Sequence, residues 1–138
     1  MNESVYLLDT NIISLLLRRD PIVAQRLKDA LAANATIVLS PIVFYEIQRG
    51  LLKRDAKKQR TFFERLSPKF VWCDLERQDW VEAAQLWAER EQAGRPISDA
   101  DLMIAVQAKR LGAILVTDNE RDFDGLGVQV ENWRKSKE

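Results

Sequence analysis

Short apolar runs alternate along this chain with longer stretches whose apolar residues recur every three or four positions. Val5, Tyr6, Leu7 and Leu8 form the first run, with no polar position between them, as in a strand covered on both faces of a parallel sheet. It stops on Asp9-Thr10-Asn11, all helix N-cap types, and helical spacing begins at Ile12 for a short helix to Arg18. Asp20-Pro21, a cap followed by proline at the first helical position, opens a helix to about residue 33 with Val23, Leu27 and Leu31 on one side. A second strand is expected at 36–39. Ser40-Pro41 then opens a helix to about 54, and Asp55 opens another over 56–66. A third strand falls at 70–73 and a long helix at 77–92, with Trp80, Ala83, Ala84 and Trp87 on one side. After the Gly94-Arg95-Pro96 loop, a helix over 98–111 is stopped by Gly112, a fourth strand covers 113–116 and a weak fifth covers 128–130. The charged tail from Arg134 is expected to fray.

Strands alternating with helices predict a three-layer α/β architecture: a central parallel sheet of four to five strands with helices on both faces. No linker, repeat or low-complexity tract divides the chain, so residues 1–138 read as one domain. In open sheets of this kind ligands bind beyond the carboxyl ends of the strands. That draws attention to Asp9 after the first strand and to Thr117-Asp118-Asn119 after the fourth.

Composition narrows the chemistry. The chain has no histidine and one cysteine, Cys73, which removes histidine acid–base catalysis, histidine metal ligation, disulfides within the chain and cysteine-rich zinc sites. Carboxylates and hydroxyls are left to carry any reaction, and they suit Mg²⁺ or Mn²⁺, which prefer hard oxygen ligands. Formal net charge is zero, so a nucleic-acid partner must be held by a local patch. No apolar run approaches a membrane span and no leader pattern is visible, so a cytoplasmic location without membrane association is expected.

Each acid has a plain structural reading beside the functional one. Asp9 can cap the next helix, though capping needs one such residue and three are present. On a helical wheel, Gln107, Lys109 and Arg110 define the polar side of the 98–111 helix, and Asp101 falls opposite them with Ile104, Ala105, Ala108 and Leu111. A carboxylate there must be neutralised, paired or metal-bound, although Ser98-x-x-Asp101 also reads as a capping arrangement. Asp99 falls on the polar side as a first-turn acid favoured by the helix dipole. Glu46 lies near the border of an apolar face made by Val43, Phe44, Ile47 and Leu51. Its spacing favours a surface pair with Arg49, and Gly50 one turn on suits an open cleft. Asp118-Asn119 is good turn chemistry as well as a site candidate; Asp122 and Asp124 read as loop residues, with Phe123 an anchor for that loop. If the first and fourth strands are neighbours, Asp9, Asp101 and Asp118/Asn119 converge at one end of the sheet. Mutual repulsion there is relieved by a divalent cation.

Arg49, Lys53, Arg54, Lys57, Lys58 and Arg60 form a dense basic stretch over two helices. It is either a solvated face or a phosphate-contacting patch beside an acidic site. Trp80 and Trp87 fit helix packing, Trp72 and Trp133 fit the core or its margin, and Cys73 fits a small buried hydrophobe.

Taken in order, Leu8-Asp9-Thr10-Asn11, Phe44-Tyr45-Glu46-Ile47 with Gly50, Asp101-Leu-Met-Ile-Ala105, and Leu115-Val116-Thr117 with Asn119 and Asp122-Phe123 resemble the PIN-domain ribonucleases of the VapC toxin type. The resemblance spans nearly the whole chain. It implies a Mg²⁺ or Mn²⁺ site made by Asp9, Glu46 and Asp101, with Asp9 and Asp101 on the ion and Glu46 orienting the attacking water. The family's fourth acidic position falls on Asn119, an amide here. Either Asn119 serves as a neutral ligand or donor, or Asp118 or Asp99 contributes the charge. Thr10, Asn11 and Thr117 become positioning residues, and Arg49, Lys53, Arg54 and Lys57 hold flanking phosphates. The resemblance further implies a toxin hydrolysing RNA, with tRNA the suggested substrate, a 5′-phosphate and a 3′-hydroxyl as products, a cognate VapB-type antitoxin and a homodimer.

Two competing readings remain at this level. A receiver-like phosphoacceptor domain lacks its usual acid pair, since Leu8 precedes Asp9, and 128–133 holds no lysine. A PIN-like RNA-binding module without catalysis is opposed by the intact Asp9, Glu46 and Asp101.

Overall fold

The computed structural model describes residues 4–135. Five parallel strands form one sheet in the order β3-β2-β1-β4-β5: β1 Val5–Leu8, β2 Thr36–Leu39, β3 Val71–Trp72, β4 Ile114–Val116 and β5 Val130–Glu131. Leu7 and Leu8 point to opposite faces of β1 and both are fully buried, so helices cover the sheet on both sides as the unbroken apolar run predicts. The helices are α1 Thr10–Leu17, α2 Pro21–Ala32, α3 Pro41–Lys53, α4 Lys57–Leu66, α5 Arg77–Gln92 and α6 Asp99–Leu111.

Local chemistry sets the helix limits. Asp20 accepts hydrogen bonds from the backbone N–H of Ile22 and Val23, both at 3.0 Å, ahead of Pro21. Gly112 ends α6 with φ of +65°, a left-handed conformation that favours glycine. The chain builds β1, β2 and β3 outward in one direction, then returns to place β4 on the other side of β1. The strand order therefore reverses between β1 and β4, and the crevice at their carboxyl ends is where such sheets bind ligands. Register brings those ends level: Leu8 pairs with Val116, and the Asp9 N–H donates to the Val116 carbonyl at 3.0 Å.

Several sequence expectations need correction. The third strand is shorter than 70–73, and the fifth lies at Val130–Glu131 rather than 128–130. Trp80, Trp87 and Trp72 are about half exposed. The buried residues of α5 are Asp79 and Ala83, so the stripe facing the core is shifted one position from the tryptophans. Its anchor is an acid, which apolar periodicity reads as surface: buried Asp79 takes two bonds from Arg110, at 2.8 and 3.0 Å. Gln107 is buried on α6 rather than polar-facing, and its amide donates to the Cys73 carbonyl at 2.8 Å, holding the chain as it leaves β3. Trp133 is buried, edge-on to Tyr6. Of the tail expected to fray, Lys135 pairs with Glu120 at 2.8 Å; residues 136–138 lie outside the described residues.

Candidate active site

Asp9 ends β1 and caps α1. Its Oδ1 accepts from the Ile12 N–H at 2.9 Å, and the buried Thr117 hydroxyl, at the end of β4, accepts from the Asn119 N–H at 3.0 Å and lies beside the same carboxyl. Capping and site placement are thus one geometry. Only 4% of Asp9 is exposed. Burial is the main reason its pKa rises from 3.8 to about 6, with the Thr117 and Ile12 hydrogen bonds opposing and the charges of Asp118 and Asp101 adding to the rise.

Asp101 stands in the first turn of α6. Its N–H donates to the Ser98 Oγ at 3.2 Å. Burial raises its pKa, the hydrogen bond with Ser98 works against that, and the charges of Asp122 and Glu46 push it further up. Glu46, one turn into α3, accepts from the Thr10 hydroxyl at 2.7 Å. The expected pair with Arg49 is present but long, at 3.8 Å.

Asp9, Thr10, Asn11, Glu46, Ser98 and Asp101 line one cleft of about 210 Å³. Asp118 sits at its margin, 3.5 Å from the Asn11 amide. Asn119 donates its amide to Asp122 at 2.8 Å, which leaves Asp122 as the loop acid whose charge reaches Asp101. Asp99 is exposed and lines a different groove, with Trp80 and Trp87 between α5 and α6. Arg49 lies over the Tyr45 ring, Arg54 lines a pocket next to the cleft, and Lys53 and Lys57 are simply exposed. Sequence reasoning took Ser98 only as a cap and Asp122 only as a loop residue. The Ser98-x-x-Asp101 spacing was the available signal for the first, and the Asp122-Phe123 pair within the motifs that carry the family resemblance was the signal for the second.

The donor set is all oxygen, and two of its acids are held in a folded state that disfavours their charge. A divalent cation relieves that cost, so the residues fit one. Among the described residues no three acids are grouped closely enough to hold one ion directly together, so direct ligation would fall to fewer of them, with water completing the oxygen set.

The family model of the PIN domain matches residues 6–128. The chain belongs to the PIN-domain family. This PIN domain is 34% identical to ribonuclease VapC2 of Rickettsia felis over 133 residues, 95% of this chain and 99% of that one. It is 26% identical to the tRNA(fMet)-specific endonuclease VapC of Salmonella typhimurium, over 93% of this chain and 97% of that one. Among solved structures, it matches a crystal structure of VapBC2 from Rickettsia felis bound to a DNA fragment from their promoter. The TM-score is 0.83 at 30% identity, covering 94% of this chain and 98% of that one. The PIN domain described here is accordingly a nuclease of the VapC type, with the three-layer α/β fold that the sequence predicts.

The raised Asp9 pKa has a thermodynamic consequence in the metal-free protein. Well below pH 3.8 the carboxyl is neutral in both folded and unfolded states. Between the unfolded value of 3.8 and the folded value of about 6, the unfolded chain ionises first and stability falls. Above that window the cost levels off at up to about 3 kcal/mol, from about two units at 1.36 kcal/mol each. Asp9→Asn keeps an acceptor for the Ile12 N–H and removes the charge. In EDTA at pH 7.5 it is expected to unfold at a higher temperature than wild type, by roughly 5–10 °C, with the gap closing as pH falls towards 4. A gap that does not vary with pH contradicts the assignment.

Proposed function

We propose that this chain is a divalent-metal-dependent endoribonuclease toxin that cuts tRNA and is restrained by a VapB-type antitoxin. The observation that carries the reading is that Asp9, Glu46 and Asp101, from three separate elements, line one cleft at the strand-order reversal. The named relatives support it: one is tRNA(fMet)-specific, and the matched solved structure is a VapBC complex.

Asp9 and Asp101, with Glu46, are the residues to hold Mg²⁺ or Mn²⁺. When bound, the ion neutralises the acids and the charge that builds on the phosphate. The rest falls to the chain itself. The Ile12 N–H holds the Asp9 carboxylate with the Thr117 hydroxyl beside it, and the Ser98 hydroxyl accepts from the Asp101 backbone N–H, anchoring the head of α6. Thr10 holds Glu46, whose carboxylate takes the proton of the attacking water. The water oxygen bonds to phosphorus, the P–O3′ bond breaks, and the departing O3′ takes a proton from solvent, so that a 5′-phosphate and a 3′-hydroxyl result. Asn11 steadies Asp118, whose charge acts on Asp9, and Asp118 rather than the exposed Asp99 supplies the charge missing at Asn119. A homodimer acting in the cytoplasm belongs to the same proposal; among the described residues no helix is long and apolar enough to cross a membrane.

The test is purified protein on total tRNA with Mg²⁺ or Mn²⁺ and with EDTA. Discrete fragments bearing 5′-phosphates are expected with metal, and none in EDTA. Cleavage undiminished by EDTA defeats the metal assignment. Binding of tRNA without cleavage in either metal favours the non-catalytic module, and a stable acyl-phosphate after incubation with acetyl phosphate favours the receiver reading.

A further inference from the structure

Beside the acid cleft lies a second cavity, of about 150 Å³, which shares Thr10 and Glu46 with it and is also lined by Ser14, Arg18, Arg54 and Gln59. Its origin is legible in the helices. Thr10, Ser14 and Arg18 fall four residues apart along α1, and Glu46, Gly50 and Arg54 fall four apart along α3, so each set forms one stripe on its helix. The two helices pack together. At one end of the facing stripes the Thr10 hydroxyl is bonded to Glu46; at the other end stand two guanidiniums. Gly50 makes this possible. A Cβ built at Gly50 would lie 3.3 Å from the Arg54 Nη1, so the arginine folds back over its own helix through the space the glycine leaves.

The chemistry of the lining favours an anion. Among the described residues neither Arg18 nor Arg54 forms an ion pair, whereas neighbouring Arg19 and Arg49 lie over the rings of Phe62 and Tyr45. Ser14 and Gln59 add neutral donors. Glu46, the one charge that opposes an anion there, is turned towards Thr10 and Arg49. The volume is well below the roughly 300–1,000 Å³ of pockets that enclose a drug-sized molecule, and no aromatic side chain lines it. It therefore suits a phosphate group rather than a stacked base.

The geometry points to a phosphate subsite formed by Arg18 and Arg54, which holds the RNA phosphate adjacent to the scissile one and sets the register of the strand across Glu46. Gly50 is its positioning residue. This rests on the endoribonuclease reading above and narrows it, from a diffuse basic stretch to one pocket one step from the acids.

Arg18→Ala and Arg54→Ala are each expected to raise the KM for RNA cleavage about tenfold with kcat little changed, and to reduce the slope of log affinity against log salt by about 0.7 each. Gly50→Ala separates this from a folding defect. Alanine is the better residue inside a helix, so the variant should unfold at the same temperature or higher, yet show a rise in KM of about twofold, smaller than in the arginine variants, because the Arg54 guanidinium has to give by a few tenths of an ångström. The decisive arm uses an RNA with a neutral methylphosphonate at the phosphate next to the cut site, with binding measured in an Asp101→Asn background. The neutral linkage should weaken binding about tenfold when Arg18 and Arg54 are intact, and have no effect once Arg54 is alanine. An equal loss in both proteins overturns the subsite, as does an unchanged KM in the arginine variants. So does an effect of those variants confined to antitoxin inhibition, which would assign the pocket to a protein carboxylate. If wild type fails to cut RNA at all, the endoribonuclease reading falls first and takes the subsite with it.

Discussion

Asp101→Asn is expected to reduce RNA cleavage at least about a hundredfold, the scale of losing one interaction made in the transition state, while the protein stays folded. The substitution is isosteric, and the Asp101 backbone N–H keeps its bond to Ser98. The carboxylate it replaces is disfavoured where it stands, since burial, Asp122 and Glu46 all raise its pKa; a neutral amide therefore costs the fold nothing. Asp99→Asn is the matched control. It changes the same charge two residues away, on an exposed side chain that lines the groove between α5 and α6 instead of the cleft, and should leave activity within about twofold. Initial rates on a defined tRNA, with circular dichroism to confirm folding, decide the matter. Equal losses in both variants would mean that general charge at the head of α6 matters, not the Asp101 position.

The largest effect on stability is expected away from the site, at Arg110→Met. Asp79 is fully buried, and its carboxylate is held by the Arg110 guanidinium through both oxygens, with the Glu76 N–H adding a bond at 2.9 Å. The hydrogen bond to Asp79 is also the main reason that the Arg110 pKa is raised. Removing the arginine leaves an uncompensated buried charge, which costs about 3–5 kcal/mol, a large part of the roughly 5–15 kcal/mol that a domain has in total. The double variant Arg110→Met, Asp79→Leu should recover much of that loss, because the charge goes with its partner. Urea unfolding of the three proteins checks it. A double variant as unstable as the single one would show that the pair matters through the Glu76 cap rather than through charge.

The same pair explains where sequence reading stopped. Burial on both sheet faces was visible in Val5 to Leu8 because nothing polar interrupts them, and the helix starts were visible in Asp20-Pro21, Ser40-Pro41 and Ser98 because caps are local. The α5 register was not visible. Its inward residues are Asp79 and Ala83, and an acid anchored by an arginine 31 positions later carries no hydrophobic signal. Gln107 was misplaced for a like reason: its partner, the Cys73 carbonyl, is far off in sequence.

At the site, Asp9, Glu46 and Asp101 could be found as acids next to strand ends and apolar faces, and the resemblance to VapC ribonucleases supplied their order. The local cap role of Ser98 was readable; the link from Asn119 to Asp122 was not, since turn chemistry accounts for either residue alone. Arg18 was missed although its signal was present. Thr10, Ser14 and Arg18 share a helix stripe, but only the packing of α1 on α3 reveals that Glu46, Gly50 and Arg54 face it.

Both outer strands, β3 and β5, are two residues long. An exposed sheet margin normally offers a row of free N–H and C=O groups on which another chain can add itself, and a long flat one seeds aggregation. Here each margin has room for very few such bonds, and Trp72 and Glu131 tie their own flanks, the indole to Asp74 and the carboxylate to Arg26. The wholly parallel sheet thus leaves little free margin on either side for another chain to extend.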